Sequence, residues 1–222
     1  MNYNSIEEIL TADITNMTVL VDNKEYDDNS YTATGASWFT FNNVVASSIY
    51  VNGNSWFGFG SATEHLKVNN RDGEMWYLYR EEGTLYNHFN FLKFRWKGYS
   101  RYNQTSSAYA IEYDVILWDT GDISLHMVSI PTSYNTGTYQ LVASSTYTYT
   151  VSTTAPDVTF KKTDSGFEVQ NSLIAFEKPY ETRFLFRDGT TIYTVANGTL
   201  SSLGAVEVTS NLFLNSGIKE LP

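Results

Sequence analysis

Hydrophobic and polar residues alternate most regularly between Phe89 and Pro131, where the pattern predicts three antiparallel strands. Alternation with a period of two residues is typical of strands that bury one face. A tight turn that ends at Gly121, with this glycine in the left-handed region, would join the second and third strands. The turn would place Leu117 opposite Ile123 on an apolar face, and this register fixes the face of every other residue in the hairpin.

The same alternation predicts how the first strand pairs with the second. Charged residues collect on the outer face, where Arg95 would lie beside Glu112 and Lys93 beside Asp114. We therefore expect an exposed ladder of ion pairs, each worth roughly 0.2–1 kcal/mol.

Two apolar residues, Ile116 and Trp118, fall on this outer face by the hairpin register. A large apolar pair on a sheet surface is normally covered by another element or by another subunit. We therefore predict that Ile116 and Trp118 form a subunit contact and that the chain is a homo-oligomer.

The remaining chain divides into three parts. Residues 1–36 form an N-terminal arm, in which the capping-box spacing of Ser5-Ile6-Glu7-Glu8 predicts a short helix. Residues 37–155 would form the β-sandwich core, and residues 156–222 a smaller β-rich C-terminal region that begins at a proline. The predicted fold class is all-β, an antiparallel β-sandwich.

Composition narrows the possible partners. The chain has 222 residues, with 14 basic and 24 acidic side chains and a net charge of −10. This balance argues against nucleic acid, because phosphate binding depends on lysine and arginine. No apolar run approaches the roughly 20 residues of a transmembrane helix, so we expect no membrane insertion. The first residues lack the profile of a secretory signal peptide, so we expect synthesis in the cytoplasm without such a signal.

Candidate catalytic groups are sparse. Glu112 and Asp114 share one strand face, about 7 Å apart by the strand rise, whereas retaining glycosidases place their two carboxylates about 5–5.5 Å apart. A known glycosidase pattern adds a glutamate where this chain has Leu117. The acidic loop 22–29 lacks the calcium-loop spacing, and the three histidines lack metal-ligand spacing. We therefore predict no catalytic residue, no metal and no cofactor, and keep a glycoside hydrolase as a lesser alternative.

The loop after the first of the three strands offers a binding surface instead. Aromatic faces stack on sugar rings, while amide groups hydrogen-bond to the sugar hydroxyls. The same side chains would also suit packing over a sheet edge or against a neighbouring subunit. The candidate ligand-binding residues are Tyr99, Arg101, Tyr102, Asn103 and Gln104.

Three motifs carry a resemblance to a known family. They are Met75-Trp76-Tyr77-Leu78-Tyr79-Arg80-Glu81-Glu82-Gly83, Phe94-Arg95-Trp96-Lys97-Gly98-Tyr99 and the hairpin from Tyr113 to Ile123. Together they resemble tail and tail-fibre proteins of phages and prophages of Gram-positive gut bacteria. The hairpin, which ends on Gly121-Asp122-Ile123, is also similar to the nidogen-like β-sandwich module. The likeness is best between Trp56 and Pro131.

The resemblance implies a jelly-roll or nidogen-like sandwich in a non-enzymatic phage tail structural or host-attachment (receptor-binding) protein. It further implies location in the virion tail, contacts with other tail proteins, a trimer as the favoured oligomer, and a host-surface glycan as a possible ligand. The alternative function is a carbohydrate-binding or adhesion module of a bacterial surface protein.

Overall fold

A computed structural model of the chain describes residues 1–68, 72–131, 138–151 and 156–179, together with the backbone of strands at 183–188, 191–196 and 199–205. The chain divides into two compact units, Met1–Phe176 and Glu177–Pro222. The regular structure is almost entirely β, as the alternation predicted. The first unit contains, in chain order, β1 (Asn2–Tyr3), α1 (Ile6–Leu10), a 3-10 helix (Ile14–Asn16), β2 (Thr18–Val21), β3 (Ser30–Thr34), β4 (Thr40–Phe41), β5 (Val44–Val45), β6 (Ser48–Asn52), β7 (Trp56–Phe59), β8 (Leu66–Lys67), β9 (Glu74–Leu85), β10 (Phe89–Tyr99), β11 (Ala110–Trp118), β12 (Ile123–Ser129), β13 (Thr138–Val142), β14 (Thr146–Thr150), β15 (Val158–Thr163) and β16 (Gly166–Gln170).

The first unit is an antiparallel sandwich of two sheets, which confirms the predicted fold class. One sheet has eight strands in the order β1-β9-β10-β11-β12-β15-β16, with β2 also paired to β9. The other has six strands in the order β14-β13-β8-β7-β6-β3. Among the described strands of this unit, β1 and β9 form the one parallel pair. The hairpin of β4 and β5 stands apart from both sheets.

The main core lies between the inner faces of these sheets. Phe57 of the six-stranded sheet packs against Phe94 and Tyr113 of the eight-stranded sheet, with ring centroids 6.2 and 6.5 Å apart. Trp96 stacks on Tyr113 at 5.2 Å, and all four side chains are fully buried. Burial of rings this large removes about 150–250 Å² of surface per residue and dominates the stability of such a core.

The hairpin of β11 and β12 has the predicted register. Leu117 pairs with Ile123. Gly121 has a φ of +87°, in the left-handed region where glycine is favoured. The Trp118 N–H donates to the carbonyl of Asp122 at 3.0 Å, which closes the turn.

The predicted pairing of β10 with β11 is wrong by two residues. Arg95 lies opposite Asp114 rather than Glu112, and Glu112 lies opposite Lys97. Lys93 is opposite Ile116 rather than Asp114. A shift of two residues keeps each side chain on its predicted face, so the hydrophobic pattern cannot distinguish the two registers. The connecting loop is long, and unlike a tight turn it does not fix the register.

The outer face of the eight-stranded sheet has two parts. Its covered half is formed by Glu81, Gly83, Phe91, Lys93, Ile116 and Trp118. Its open half is formed by Tyr77, Tyr79, Lys97, Glu112 and Ser129. The helix α1 packs on the covered half through Ile9, which is fully buried there with Leu85 and Ile174. Half of the predicted exposed face is therefore a second, smaller core.

Charged residues of the covered half hold the helix in place. The Lys93 ammonium donates to the carbonyl of Ile9 at 2.5 Å and lies 2.8 Å from the Glu81 carboxylate. The Tyr3 hydroxyl also donates to Glu81. Lys93 is fully buried, so the predicted exposed ladder is wrong at this position. A cation at the last carbonyls of α1 is favourable because these groups have no partner within the helix.

The chain itself covers Ile116 and Trp118, each about 1% exposed. The Trp118 ring packs against Phe91 at 5.8 Å and Phe176 at 4.7 Å. This corrects the predicted subunit contact through Ile116 and Trp118, because the exposed apolar surface that it required is absent. The alternation identified the face correctly, but it carries no information on which element covers that face.

The N-terminal helix forms as the capping-box spacing predicted. The Ser5 side chain accepts a hydrogen bond from the Glu8 N–H at 3.2 Å. Glu8 in turn accepts one from the Asn4 N–H at 2.7 Å. Residues 1–36 are nevertheless more than an arm, because β2 and β3 belong to the two sheets.

The division between the two units differs from the predicted one. β15 pairs with β12, with Ile123 opposite Phe160, so the chain after residue 155 extends the eight-stranded sheet. The predicted boundary at residue 155 therefore lies inside the first unit, which ends at Phe176. The second unit contains an antiparallel sheet of β17 (Arg183–Asp188), β18 (Thr191–Ala196) and β19 (Thr199–Ala205).

Candidate functional site

A groove of about 500 Å³ lies on the open half of the outer face. One row of paired residues crosses it, from Tyr77 on β9 through Lys97 on β10 to Glu112 on β11. Tyr99 and Thr105 belong to the segment that leaves β10, and they line the same groove. Three neighbouring strands and one loop thus bring aromatic, charged and hydroxyl side chains together.

Tyr77, which lines the groove, stacks on a neighbouring tyrosine of β9. Tyr77 and Tyr79 lie two residues apart on one face of the strand, and their rings are parallel within 4°, with centroids 6.4 Å apart. The Tyr77 hydroxyl donates to the side-chain oxygen of Asn23 at 3.1 Å, which fixes the ring. Burial raises the pKa of Tyr79, and the neighbouring negative charges of Asp22 and Glu112 add to the shift. Tyr79 therefore stays protonated at neutral pH and is a hydrogen-bond donor.

The charged part of the groove centres on Glu112. Its carboxylate oxygens lie 3.7 Å from the Lys97 ammonium and 3.8 Å from the Arg95 guanidinium. Both distances exceed the range of about 2.7–3.2 Å for a hydrogen bond, so the pairs are loose. Lys97 is 47% exposed and lies 5.8 Å from the centroid of the Tyr77 ring. Glu112 therefore has lone pairs left for hydrogen bonds from a ligand.

Arg95 and Asp114 form the floor between the open half and the covered half. Two guanidinium nitrogens of Arg95 donate to the two carboxylate oxygens of Asp114, both at 2.8 Å. Arg95 also donates to the carbonyl of Leu10 at 3.0 Å. Asp114 is fully buried, so the sheet does not present Glu112 and Asp114 together as two accessible carboxylates. That arrangement is unlike the paired carboxylates of a glycosidase.

The structure separates the residues predicted to bind a ligand. Tyr99 lines the groove, whereas Arg101, Tyr102, Asn103 and Gln104 lie on the exposed loop beside it. The Arg101 guanidinium lies 5.6 Å from the Tyr109 ring, and the Tyr102 N–H donates to the carbonyl of Asp72 at 2.7 Å.

Sequence reasoning missed Tyr77, Lys97 and Glu112 as parts of one groove, whereas Thr105 lies in the polar loop after β10 that was considered for glycan contact. Alternation on each strand places the first three on the outer face, which was the available signal. Their alignment depends on the register across three strands, and β10 also has a bulge between Lys97 and Gly98. Such a bulge changes the direction of neighbouring side chains, and no local pattern in the sequence predicts it.

A separate group of carboxylates lies near the predicted acidic loop. Oxygens of Asp27, Asp28 and Asp72 lie within 4.8 Å of one another. Burial raises the pKa of Asp27, and the charges of Asp28 and Asp72 raise it further. Exposed acidic groups of this kind are common without an ion, and we assign no metal to them.

Comparisons of this chain with protein-family models, with curated proteins and with solved structures found no match. In the part of the chain that the structure describes, no helix is long and apolar enough to cross a membrane. The structure shows an all-β sandwich with a groove on one of its sheets.

Proposed function

We propose that the protein is a non-enzymatic attachment module that binds a glycan on a cell surface, with the groove on the open half as its binding site. The groove itself carries this proposal. It places Tyr77 and Tyr99 beside the carboxylate of Glu112 and the hydroxyl of Thr105 within about 500 Å³. This volume suits a ligand of a few sugar rings, since small-molecule sites measure about 300–1,000 Å³.

The chemistry of the groove favours binding over catalysis. A glycoside hydrolase needs two carboxyl groups at the scissile bond, one on each side. Here Asp114 is fully buried and both of its oxygens accept hydrogen bonds from Arg95. Of these two carboxylates, only Glu112 is available to accept hydrogen bonds from a ligand. Accepting hydrogen bonds is a role that a single carboxylate fills in a binding site.

A glycan array tests the binding proposal. We expect the chain to bind at least one oligosaccharide, and Tyr77→Ala and Tyr99→Ala to weaken that binding by about tenfold or more. Tyr102→Ala is the matched control, because Tyr102 is an exposed tyrosine on the adjoining loop and lies outside the groove. The absence of any bound glycan, or an equal loss in Tyr102→Ala, would contradict the proposal.

We propose further that this module acts in a phage tail or tail fibre, bound to other tail proteins. The support is the resemblance carried by the segments around Trp76, Trp96 and Trp118. Mass spectrometry of phage particles purified from the source is the test, with peptides of this chain expected in the particle fraction. Peptides confined to the bacterial surface would favour the adhesion-module alternative instead.

A further inference from the structure

We infer that the groove selects uncharged saccharides over anionic ones, and that Glu112 is the acceptor that makes this selection. The inference rests on the proposed function, because it names the ligand class of the same groove. Its basis is the charge of the side chains at the groove and the hydrogen-bonding capacity that each retains.

The charged groups at the groove compensate one another. Lys97 lies 3.7 Å from Glu112, and Arg95 forms a two-point pair with the buried Asp114. Asp22 adds a negative charge near Tyr79, where it contributes to the raised pKa of that tyrosine. Of these charged groups, only Lys97 and Glu112 line the groove, with one charge of each sign. The groove therefore has no surplus cation for a carboxylate, sulfate or phosphate of a ligand, all of which favour arginine or lysine partners.

Lys97 is the most accessible cation in the groove, but it is held beside an opposite charge. Its ammonium lies 5.8 Å from the centroid of the Tyr77 ring and 3.7 Å from the Glu112 carboxylate. An anionic sugar that approached Lys97 would also approach Glu112, and the like charges would repel. The net charge of −10 on the chain opposes an anionic polymer as well. Salt screens the longer-range repulsion from the net charge over about 8 Å at physiological ionic strength. The preference for neutral sugars therefore depends mainly on the Lys97–Glu112 pair in the groove.

Glu112 is well suited to the hydroxyl groups of a neutral sugar. An ionised carboxylate only accepts hydrogen bonds, at about four lone-pair positions, and its two loose ion pairs leave room for more. Hydroxyl-to-carboxylate bonds are short and strong, at about 2.5–2.7 Å. Tyr77 and Tyr99 supply apolar faces for the ring carbons of the same sugar. The Glu112 carboxylate thus forms hydrogen bonds with a neutral ligand, whereas it repels an anionic ligand.

The test begins with an array of neutral, sialylated, uronate-bearing and phosphate-bearing oligosaccharides. Each oligosaccharide core that binds is then titrated in two forms, with and without its acidic substituent. We expect neutral members to bind, and an added carboxylate or phosphate to weaken binding by about tenfold or more. Glu112→Gln should weaken binding of the neutral core by about tenfold and reduce the discrimination against its acidic form to less than about threefold. Lys97→Gln should increase the discrimination against the acidic form by about threefold or more, because no cation in the groove then offsets the charge of Glu112.

Glu168→Gln is the control, because Glu168 is exposed on β16, outside the groove, and should change neither affinity. Tryptophan fluorescence spectra of each variant establish that the fold is retained. Binding confined to acidic oligosaccharides and lost in Lys97→Gln would overturn the inference while leaving the proposed glycan-binding function intact. Binding of no oligosaccharide at all would overturn both.

Discussion

Removal of the Asp114 carboxylate should destabilise the first unit severely. Asp114 is fully buried, and Arg95 is 6% exposed. In Asp114→Ala the Arg95 guanidinium loses two hydrogen bonds of 2.8 Å and keeps the Leu10 carbonyl and the distant Glu112. Breaking a buried pair by removing one partner costs about 3–5 kcal/mol, because the remaining charge is left buried without compensation. We expect a loss of this size in the free energy of unfolding.

Urea denaturation followed by tryptophan fluorescence is the assay. All five tryptophans lie between Trp38 and Trp118, so the signal reports on the first unit. Glu112→Ala is the comparison on the same strand face, and we expect it to cost less than about 1 kcal/mol, because its ion pairs with Arg95 and Lys97 are long, at 3.8 and 3.7 Å. The double variant Arg95→Met, Asp114→Leu should recover most of the loss, because apolar residues often replace a buried ion pair without penalty.

The outcome distinguishes the close, buried pair of Arg95 and Asp114 from the loose pairs of Glu112. Equal costs for Asp114→Ala and Glu112→Ala would contradict the uncompensated-charge explanation and support the exposed ladder that the sequence pattern predicted. A double variant that is less stable than Asp114→Ala would also refute it, since the cost would then not arise from an uncompensated charge on Arg95.

Three further predictions concern the turn at Gly121, the carboxyl group of Glu74 and the oligomeric state. Gly121→Ala should cost more than about 1 kcal/mol, because an alanine is strained at a positive φ and its Cβ would lie 3.3 Å from Lys162; an unchanged urea midpoint would contradict this. Burial, and secondarily the charge of Glu25, raise the pKa of Glu74. The Glu74 carboxyl therefore binds its proton more tightly in the folded state than in the unfolded chain. Proton binding at Glu74 stabilises the folded state at low pH, and this stabilisation is lost as the pH rises through the folded-state pKa. Glu74→Gln should accordingly be more stable than the unaltered chain at neutral pH, with a gap that closes in acid; a gap independent of pH would argue against a perturbed carboxyl. Light scattering at micromolar concentration should detect a homo-oligomer, with the trimer that the tail-fibre resemblance implies, and a monomer would contradict that prediction.

Local signals in the sequence predicted the parts of the fold that short-range chemistry determines. The turn at Gly121 fixed the hairpin register, and the Ser5 cap marked the start of α1. The pairing of β10 with β11 was not predictable, because a long loop permits registers that differ by two residues and keep the same buried face. Coverage of Trp118 by α1 and Phe176 was also not predictable, since it depends on contacts between residues far apart in the chain.

In the candidate site, too, local sequence signals predicted only the features that do not depend on long-range contacts. Tyr99 was predicted because it stands next to a polar loop that is visible in the sequence. Tyr77 and Glu112 meet only through the register of three strands, so neither signalled a groove by itself. The remaining loop residues, including Tyr102, were candidates by composition alone, and composition does not determine the direction in which a side chain points.

Hydroxyl-radical footprinting is the sharpest test of glycan binding in the groove, because it reports which side chains a bound ligand covers. The measurement compares tyrosine oxidation with and without an oligosaccharide that the array identifies as bound. A ligand in the groove should protect Tyr77 and Tyr99 and leave unchanged the oxidation of Tyr102 on the loop and of Tyr50 on the six-stranded sheet. Protection of Tyr102 or Tyr50 without protection of Tyr77 would place the ligand elsewhere and contradict binding in the groove.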